Sequence, residues 1–365
     1  MLLRCFTNLL DFYSRCGVED KIRFHERLYF VQPGGAVDVL QAGVLPAPAH
    51  LLGSLLRFKA LGFADKLSIL RAMTAMRREA NRADLDSLTI GDWLVSKQST
   101  ERAVQRFWRP ILVSALNEEP DRSSAAPAFQ VFLQGMMTTR ESYQMGLPAV
   151  PLAELYSAAL RDKLGAQVRI HPRSPLERID PSDPAADFYI SAVPFERVGR
   201  LLPGLGLNLE KFTHSPITGI HLWFDRPIMD LPHAVLLDRT LQWVFRKTDR
   251  YVQCVVSASR SLIELSREEI VEMACSELRE FFPACRDAEL VRSHVIKEAR
   301  ATYSTVPGLQ SVRPGPATKY PNVFLAGDWT NTGWPATMEG AVRSGYIAAE
   351  AVAGAAGRKA SFLLP

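Results

Sequence analysis

The sequence predicts a mixed α/β fold built from two interleaved domains, and three observations predict it. Its 365 residues exceed the roughly 100–200 residues of a typical single domain, so two hydrophobic cores are expected. Two short runs set among helical stretches, the largely apolar Asp187–Val193 and the fully apolar Val323–Ala326, read as buried parallel strands. Ile217–Phe224, Leu241–Phe245 and Tyr251–Val256 read instead as strands of an antiparallel sheet. Helix-linked and hairpin-linked strands mixed along one chain predict domains that interleave rather than follow one another.

Taken in order, Leu2, Leu3, Phe6, Leu9, Leu10 and Tyr13 recur at helical spacing until Gly17, which predicts a helix over the first twenty residues. Leu28–Val31 and Ala36–Leu40, joined by Gln32–Gly35, predict a hairpin. From Pro46 to Leu116 the pattern is helical. Phe63, Leu67, Leu70 and Met73 form one apolar stripe, Asp65, Lys66 and the Arg77-Arg78 pair read as solvated surface, and Ser87–Trp93 reads as the start of another helix. A helix is expected over Leu152–Leu164, ended by Gly165, with a strand Gln167–Ile170 after it. Glu268–Phe282 reads as a helix halted by Pro283.

Composition excludes several classes of function. Forty-three Lys and Arg against 39 Asp and Glu leave a net charge of +4, too weak to mark a nucleic-acid binder. Five scattered cysteines without a Cys-x-x-Cys pair fit a reducing compartment and exclude a disulfide scaffold or zinc ribbon. There is no His-Glu-x-x-His, Gly-x-Ser-x-Gly or P-loop lysine, and no metal site is expected. No small-residue cleavage site follows the opening residues. The longest uncharged run, Val39–Leu56, is broken by Pro46 and Pro48, short of the roughly 20 apolar residues a spanning helix needs. A cytoplasmic chain is expected, touching the inner face of the membrane from the surface if at all. Residues 51–110 hold 11 Lys/Arg against 6 Asp/Glu. That excess reads either as a solvated face around an ordinary helical core or as a basic amphipathic surface for anionic lipid.

The segment Asn322–Glu350 carries the chemistry. Val323–Ala326 is an apolar strand, Gly327 permits a close approach, and Asp328 sets a carboxylate at the strand's carboxyl end, where ligands of open α/β sheets sit. A helix is predicted from an N-cap at Thr337. The N–H groups of Met338, Glu339 and Gly340 would then point outward with the positive end of the helix dipole, favouring an anion or an electron-rich carbonyl. Gly340, Ala341, Ser344, Gly345, Ala348 and Ala349 form a small-residue stripe. Alone it reads as tight helix–sheet packing; combined with the strand-Gly-Asp and the capped start, it points to a cofactor.

These residues resemble the carboxyl-terminal flavin-binding segment of the amine oxidase and carotenoid desaturase superfamily. Leu325–Thr330 and Thr332–Gly345 are similar to one branch, the hydroxysqualene dehydroxylases or squalene-associated FAD-dependent desaturases. Thr7–Leu10, Phe107–Asn117, Gly146–Pro148, Ile220–Asp225, Glu298–Thr302 and Arg313–Gly315 support that branch. The resemblance implies an amine-oxidase-like two-domain fold with FAD as cofactor. Residues 1–27, 165–207 and 297–365 would form the FAD-binding domain, and 28–164 and 208–296 the substrate domain. By resemblance, Asp328 accepts a hydrogen bond from the ribitol or lies beside the pyrophosphate, and the helix start at Met338, Glu339 and Gly340, capped by Thr337, holds the flavin C2 carbonyl. Gly327, Gly340 and Ala341 allow the close approach, and Trp334 and Pro335 wall the ring from water. A strand pair around Val168–Ile179 falls where relatives contact adenine, although Pro175 has no N–H to offer.

The substrate so implied is hydroxysqualene, an apolar triterpenoid alcohol reduced to squalene in squalene and hopanoid synthesis. The Leu, Met and Phe of residues 46–145 would line a dry cavity. No catalytic acid is assigned: His221 and His294 read as structural, and Glu339 and Asp328 as engaged. The alternatives are a phytoene-desaturase-like or amine-oxidase-like flavoenzyme and a truncated, non-catalytic relative. One departure motivates the last. Superfamily members begin with a strand, a Gly-x-Gly-x-x-Gly turn and a helix. Here the nearest string, Gly204-Leu-Gly206, lacks the third glycine. A Rossmann βαβ unit of about 30 or more residues is therefore expected to be incomplete, through a misplaced start or by nature, and little flavin is expected to stay bound to the chain as given.

Overall fold

The computed structural model describes residues 1–156 and 163–364. They group into two compact units, Met1–His25 with Tyr143–Phe212 and Leu309–Pro365, and Glu26–Ser142 with Thr213–Gly308.

The second unit is built on a seven-stranded sheet ordered Leu290–Tyr303, His214–Phe224, Tyr251–Ser257, Trp243–Arg246, His233–Leu236, Leu28–Val31 and Val37–Leu40. Every pairing is antiparallel except that of Leu28–Val31 with His233–Leu236. Strand periodicity sends Ile220, Leu222, Val252, Cys254 and Val295 to one face, where they bury against Ile270, Ala274 and Leu278 of the helix Arg267–Phe281. That helix starts at a capping box, in which Ser266 Oγ accepts the Glu269 N–H at 3.1 Å and Glu269 accepts the Ser266 N–H at 2.6 Å.

The predicted hairpin and the Thr89-capped helix Ile90–Ser96 are both present. The motif ending at Asn117 joins helix to sheet. Asn117 adopts φ 53°, donates Nδ2 to Ser215 O and Thr302 Oγ1, both at 2.9 Å, and accepts the Ala258 N–H at 2.7 Å. Beside it the buried Glu118 receives a two-pronged contact from Arg260 at 2.7 and 2.6 Å.

Two expectations for this unit are corrected. In the helix Phe63–Arg78 the inner face is Ile69, Ala72 and Met76, so Phe63 and Leu67 of the expected stripe turn outward. Asp65 is not solvated surface. At the third position of the helix it accepts the Gly62 N–H at 2.7 Å and the Thr100 hydroxyl at 2.6 Å, and both bonds hold it inside.

The first unit holds a three-stranded antiparallel sheet, Leu2–Leu3, Met145–Pro148 and Ile22–His25. A Cβ at Gly146 would lie 2.7 Å from Leu2 and 2.9 Å from Ile22, so only glycine lets these strands pack. Residues 2–3, expected in a helix, are therefore strand, and the helix is Thr7–Cys16, ended by Gly17 at φ 69°. A parallel pair, Tyr189–Ser191 with Val323–Leu325, forms the second sheet. Its first strand is shorter and less covered than expected, with Ile190 49% exposed.

No strand forms over Gln167–Ile170, and no strand pair exists around Val168–Ile179. Pro172 and Pro175 remove N–H donors, Arg173 sits at φ 58°, and Val168, Ile170 and Leu176 are exposed. In the helix expected over Leu152–Leu164, Leu152–Tyr156 is helical and 157–162 lie outside the described residues. Among the described residues no helix is long and apolar enough to cross a membrane, and no cluster of three His, Cys, Asp or Glu could hold a metal.

Candidate cofactor site

The site is assembled in the first unit where the strand Val323–Leu325 runs out. Ala326 still bonds Ser191 O at 2.9 Å. Gly327 then turns the chain at φ 126°, and a Cβ there would fall 2.6 Å from the Trp329 indole nitrogen. The Gly327 N–H is taken by Ser344 Oγ at 2.7 Å, which ties the strand end to the helix Met338–Ala355. Trp329 is buried edge-on against Phe212 and donates Nε1–H to Val193 O at 3.0 Å. The loop closes around a buried guanidinium. Arg313 donates to the carbonyl oxygens of Asp328 (2.8 Å) and Thr330, and to Gln310 Oε1 (2.8 Å).

Asp328 itself is half-buried, and burial pushes its carboxyl above the ordinary value despite the opposing charge of Arg313 and the N–H of Trp329. Among the described residues no side chain donates a hydrogen bond to this carboxylate. It is an acceptor held ready in a largely desolvated place.

Thr337 caps the following helix as expected, accepting the Gly340 N–H at 3.1 Å. Gly340 is required by its own chain: a Cβ would meet Pro335 O at 2.6 Å. Pro335 is buried, while Trp334 packs edge-on against Phe6 at 5.5 Å. The Tyr13 and Tyr156 hydroxyls share a hydrogen bond at 2.5 Å, and the Met338 sulfur, 3.9 and 3.5 Å from them, can accept the proton of whichever hydroxyl is left to donate.

Glu339, fully buried, does not aim its side chain at the loop. Its carboxylate accepts Asn8 N–H (3.2 Å), Asn8 Nδ2 (2.9 Å) and Leu9 N–H (2.7 Å), capping the helix Thr7–Cys16. What Glu339 leaves for a ligand is its backbone N–H. The small-residue stripe divides in two. Ser344 and Ala348 are buried, whereas Ala341 and Gly345 are exposed one turn apart, and a Cβ on Gly345 would meet nothing within 4 Å.

The first unit thus holds three features along one stretch of chain: a largely buried carboxylate bonded by backbone N–H groups but by no side chain among the described residues, a capped helix start with its dipole, and an open helix face without side-chain bulk. They fit a polyhydroxylated, anionic cofactor with a flat ring. Residues 3–353 match the flavin-containing amine oxidoreductase family, and the chain belongs to that family, whose cofactor is FAD. Hydroxysqualene dehydroxylase of Sinorhizobium fredii is 32% identical over 264 residues, 67% of this chain and 61% of that protein. The match to this relative therefore spans less than two thirds of its length. The 15-cis-phytoene desaturase of Synechococcus elongatus is 25% identical over 399 residues, 95% of this chain and 83% of that protein. Among solved structures, cyclohexylamine oxidase from Brevibacterium oxydans superimposes with a TM-score of 0.64 at 17% identity, covering 98% of this chain and 87% of the other. At that identity the likeness shows the fold, a mixed α/β flavoprotein of the amine-oxidase type.

The lining is compatible with FAD: Asp328 would offer an acceptor to a sugar-alcohol hydroxyl, and Met338 and Glu339 would offer the helix start, whereas the Gly340 N–H expected there is already taken by Thr337 Oγ1. Gly204-Leu-Gly206 follows the helix Phe195–Leu201 and not a strand, so it is no phosphate-binding turn. Two groups were not read from the sequence. Arg313, noted only within Arg-Pro-Gly, organises the loop through carbonyls 15 to 17 residues away, and Ser344 locks Gly327; neither long-range bond leaves a local signal. His221 and His294 belong to the second unit, opposite one another on paired strands. His221 Nδ1 bonds the Tyr251 hydroxyl at 2.6 Å, and burial, with His294 and Lys247 beside it, lowers its pKa.

Proposed function

We propose that this flavin oxidoreductase reduces hydroxysqualene to squalene, replacing an allylic hydroxyl by hydrogen and releasing water. The observation that carries the reading is the segment Leu325–Gly345, whose Gly327-Asp328 turn and Thr337-capped helix form a site suited to FAD. The 32% identity to a hydroxysqualene dehydroxylase supports this particular reaction. Bound, reduced FAD supplies the hydride. The chain's own contribution is to hold and orient. Asp328 takes a hydroxyl of the ribitol, the N–H groups of the helix start favour negative charge on the ring's carbonyl, and Ala341 and Gly345 let a plane lie against the helix. Trp334 and Pro335 shield that plane from water. The second unit contributes an apolar groove of about 570 Å³, walled by leucine, methionine and phenylalanine side chains, as the place for an apolar substrate.

A second reading, desaturation of a carotenoid such as phytoene, is favoured by the 95% of this chain that aligns with phytoene desaturase. The test is anaerobic incubation with FAD and dithionite, followed by extraction and chromatography. Hydroxysqualene should give squalene. If the alcohol is returned unchanged while phytoene is dehydrogenated with a quinone acceptor, the first reading fails and the second stands.

A further inference from the structure

The helical part of the second unit contains an apolar groove of about 570 Å³, walled by Leu40, Leu52, Leu55, Leu70, Met73 and Phe107, with Arg77 and Arg78 at its edge. Its size lies within the roughly 300–1,000 Å³ of sites that enclose small molecules. The surroundings of its mouth are unusual for a surface facing water. The helix Phe63–Arg78 places Leu70 and Met73 on the wall. On the same side, toward its start, it leaves Phe63 81% and Leu67 50% exposed. Lys66 Nζ donates to Leu56 O at 2.8 Å, which brings Leu56, 55% exposed, alongside. The loop leading into Pro48 projects Val44, 92% exposed. Contiguous large apolar side chains of this kind mark an interaction surface.

On residues 52–78 the charges left outside are all basic. Arg57, Lys59, Lys66, Arg77 and Arg78 lie on the same two helices and their connection, while Asp65 is turned inward onto Gly62 and Thr100. Among the described residues, neither Arg77 nor Arg78 makes an ion pair. Apolar tips beside unneutralised cations match the boundary between acyl chains and anionic headgroups.

We propose that this rim docks on an anionic bilayer, with Leu56, Phe63 and Leu67 among the acyl chains and Arg77 and Arg78 on headgroup phosphates. An apolar molecule then passes from bilayer to groove without crossing water. The last step rests on the reading of an isoprenoid substrate; the docking does not, and it is measured without turnover.

The test is flotation of the whole chain with vesicles of phosphatidylcholine, alone or mixed with phosphatidylglycerol. The wild type should float with the mixed vesicles more strongly than with the neutral ones. F63S/L67S should bind both at least tenfold more weakly. R77Q/R78Q should lose the preference for phosphatidylglycerol, by about fivefold per arginine. V291S, which alters an exposed apolar side chain on the strand Leu290–Tyr303, should float like wild type. All four chains should melt alike, since exposed substitutions leave stability nearly unchanged. The proposal is overturned if the wild type does not float or if F63S/L67S floats unchanged. It is equally overturned if the patch instead holds two copies together, seen as a dimer that F63S/L67S converts to monomer while vesicles bind neither form.

Discussion

Removing the carboxylate of Glu339 tests whether one buried acceptor holds the first helix. In Glu339→Ala the N–H groups of Asn8 and Leu9, at 3.2 and 2.7 Å, and the Asn8 amide at 2.9 Å all lose their acceptor. Hydrogen bonds to a charged group contribute about 1.5–3 kcal/mol each, and donors left buried keep their desolvation cost. The Asn8 side chain can turn to other partners. The net loss is therefore closer to the roughly 3–5 kcal/mol seen when one partner of a buried charged contact is deleted. Because the cap serves one helix, the assay is hydrogen exchange resolved to the peptide covering Thr7–Cys16. A fall of about 3–5 kcal/mol in opening free energy raises exchange there by roughly a hundred- to several-thousand-fold. Glu339→Gln keeps one acceptor oxygen but turns an amide toward a donor, so it should fall between wild type and alanine. If Glu339→Ala exchanges over Thr7–Cys16 within threefold of wild type, the carboxylate does not cap that helix and the reasoning fails.

Two further outcomes follow from the same segment. Gly340→Ala should destabilise the chain although alanine is the better helix former, because its Cβ would meet Pro335 O at 2.6 Å. Gly345→Ala, into open space, should stabilise it by up to about 1 kcal/mol while weakening flavin retention; urea melts and flavin titration read both. Asp328, whose carboxyl is raised by burial, binds its proton more tightly folded than unfolded. Stability is therefore present below the unfolded value and falls as pH rises through the folded one. Asp328→Asn should melt higher than wild type near neutral pH, with the difference vanishing below the ordinary value of 3.8. It should also hold flavin less well. Equal melting at both pH values would show that burial does not hold this carboxyl above its ordinary value.

What was legible in the sequence was local. Thr337 as a cap, Gly17 as a stop, the Gln32–Gly35 turn and the helix entry within Ser87–Trp93 act within one or two turns of chain, so their signals lie side by side. The helix Phe63–Arg78 shows where such reading stops. Ile69, Ala72 and Met76 form one apolar line and Phe63, Leu67, Leu70 and Met73 another, and only the packing partner decides which line turns inward. The strand expected over Gln167–Ile170 had the right residues but no neighbouring strand to pair with. In the candidate site, the Gly327–Asp328 turn and the helix start could be read directly. Glu339 could not, because its partners lie 330 and 331 residues away. Arg313 acts through carbonyls that any residues could have supplied.

The bond between Glu339 and Asn8 also orders events during synthesis. At roughly 5–20 residues per second, the 331 residues separating them take about 15–65 s to translate. Throughout that interval the opening helix exists on the ribosome without its cap, and the sheet that includes Leu2–Leu3 must wait for Met145–Pro148. All segments of the second unit, by contrast, are complete by Gly308. The half bearing the candidate flavin site is thus the last to close, and nascent chains stalled before residue 339 should be clients for chaperones that shield Leu9 and Tyr13.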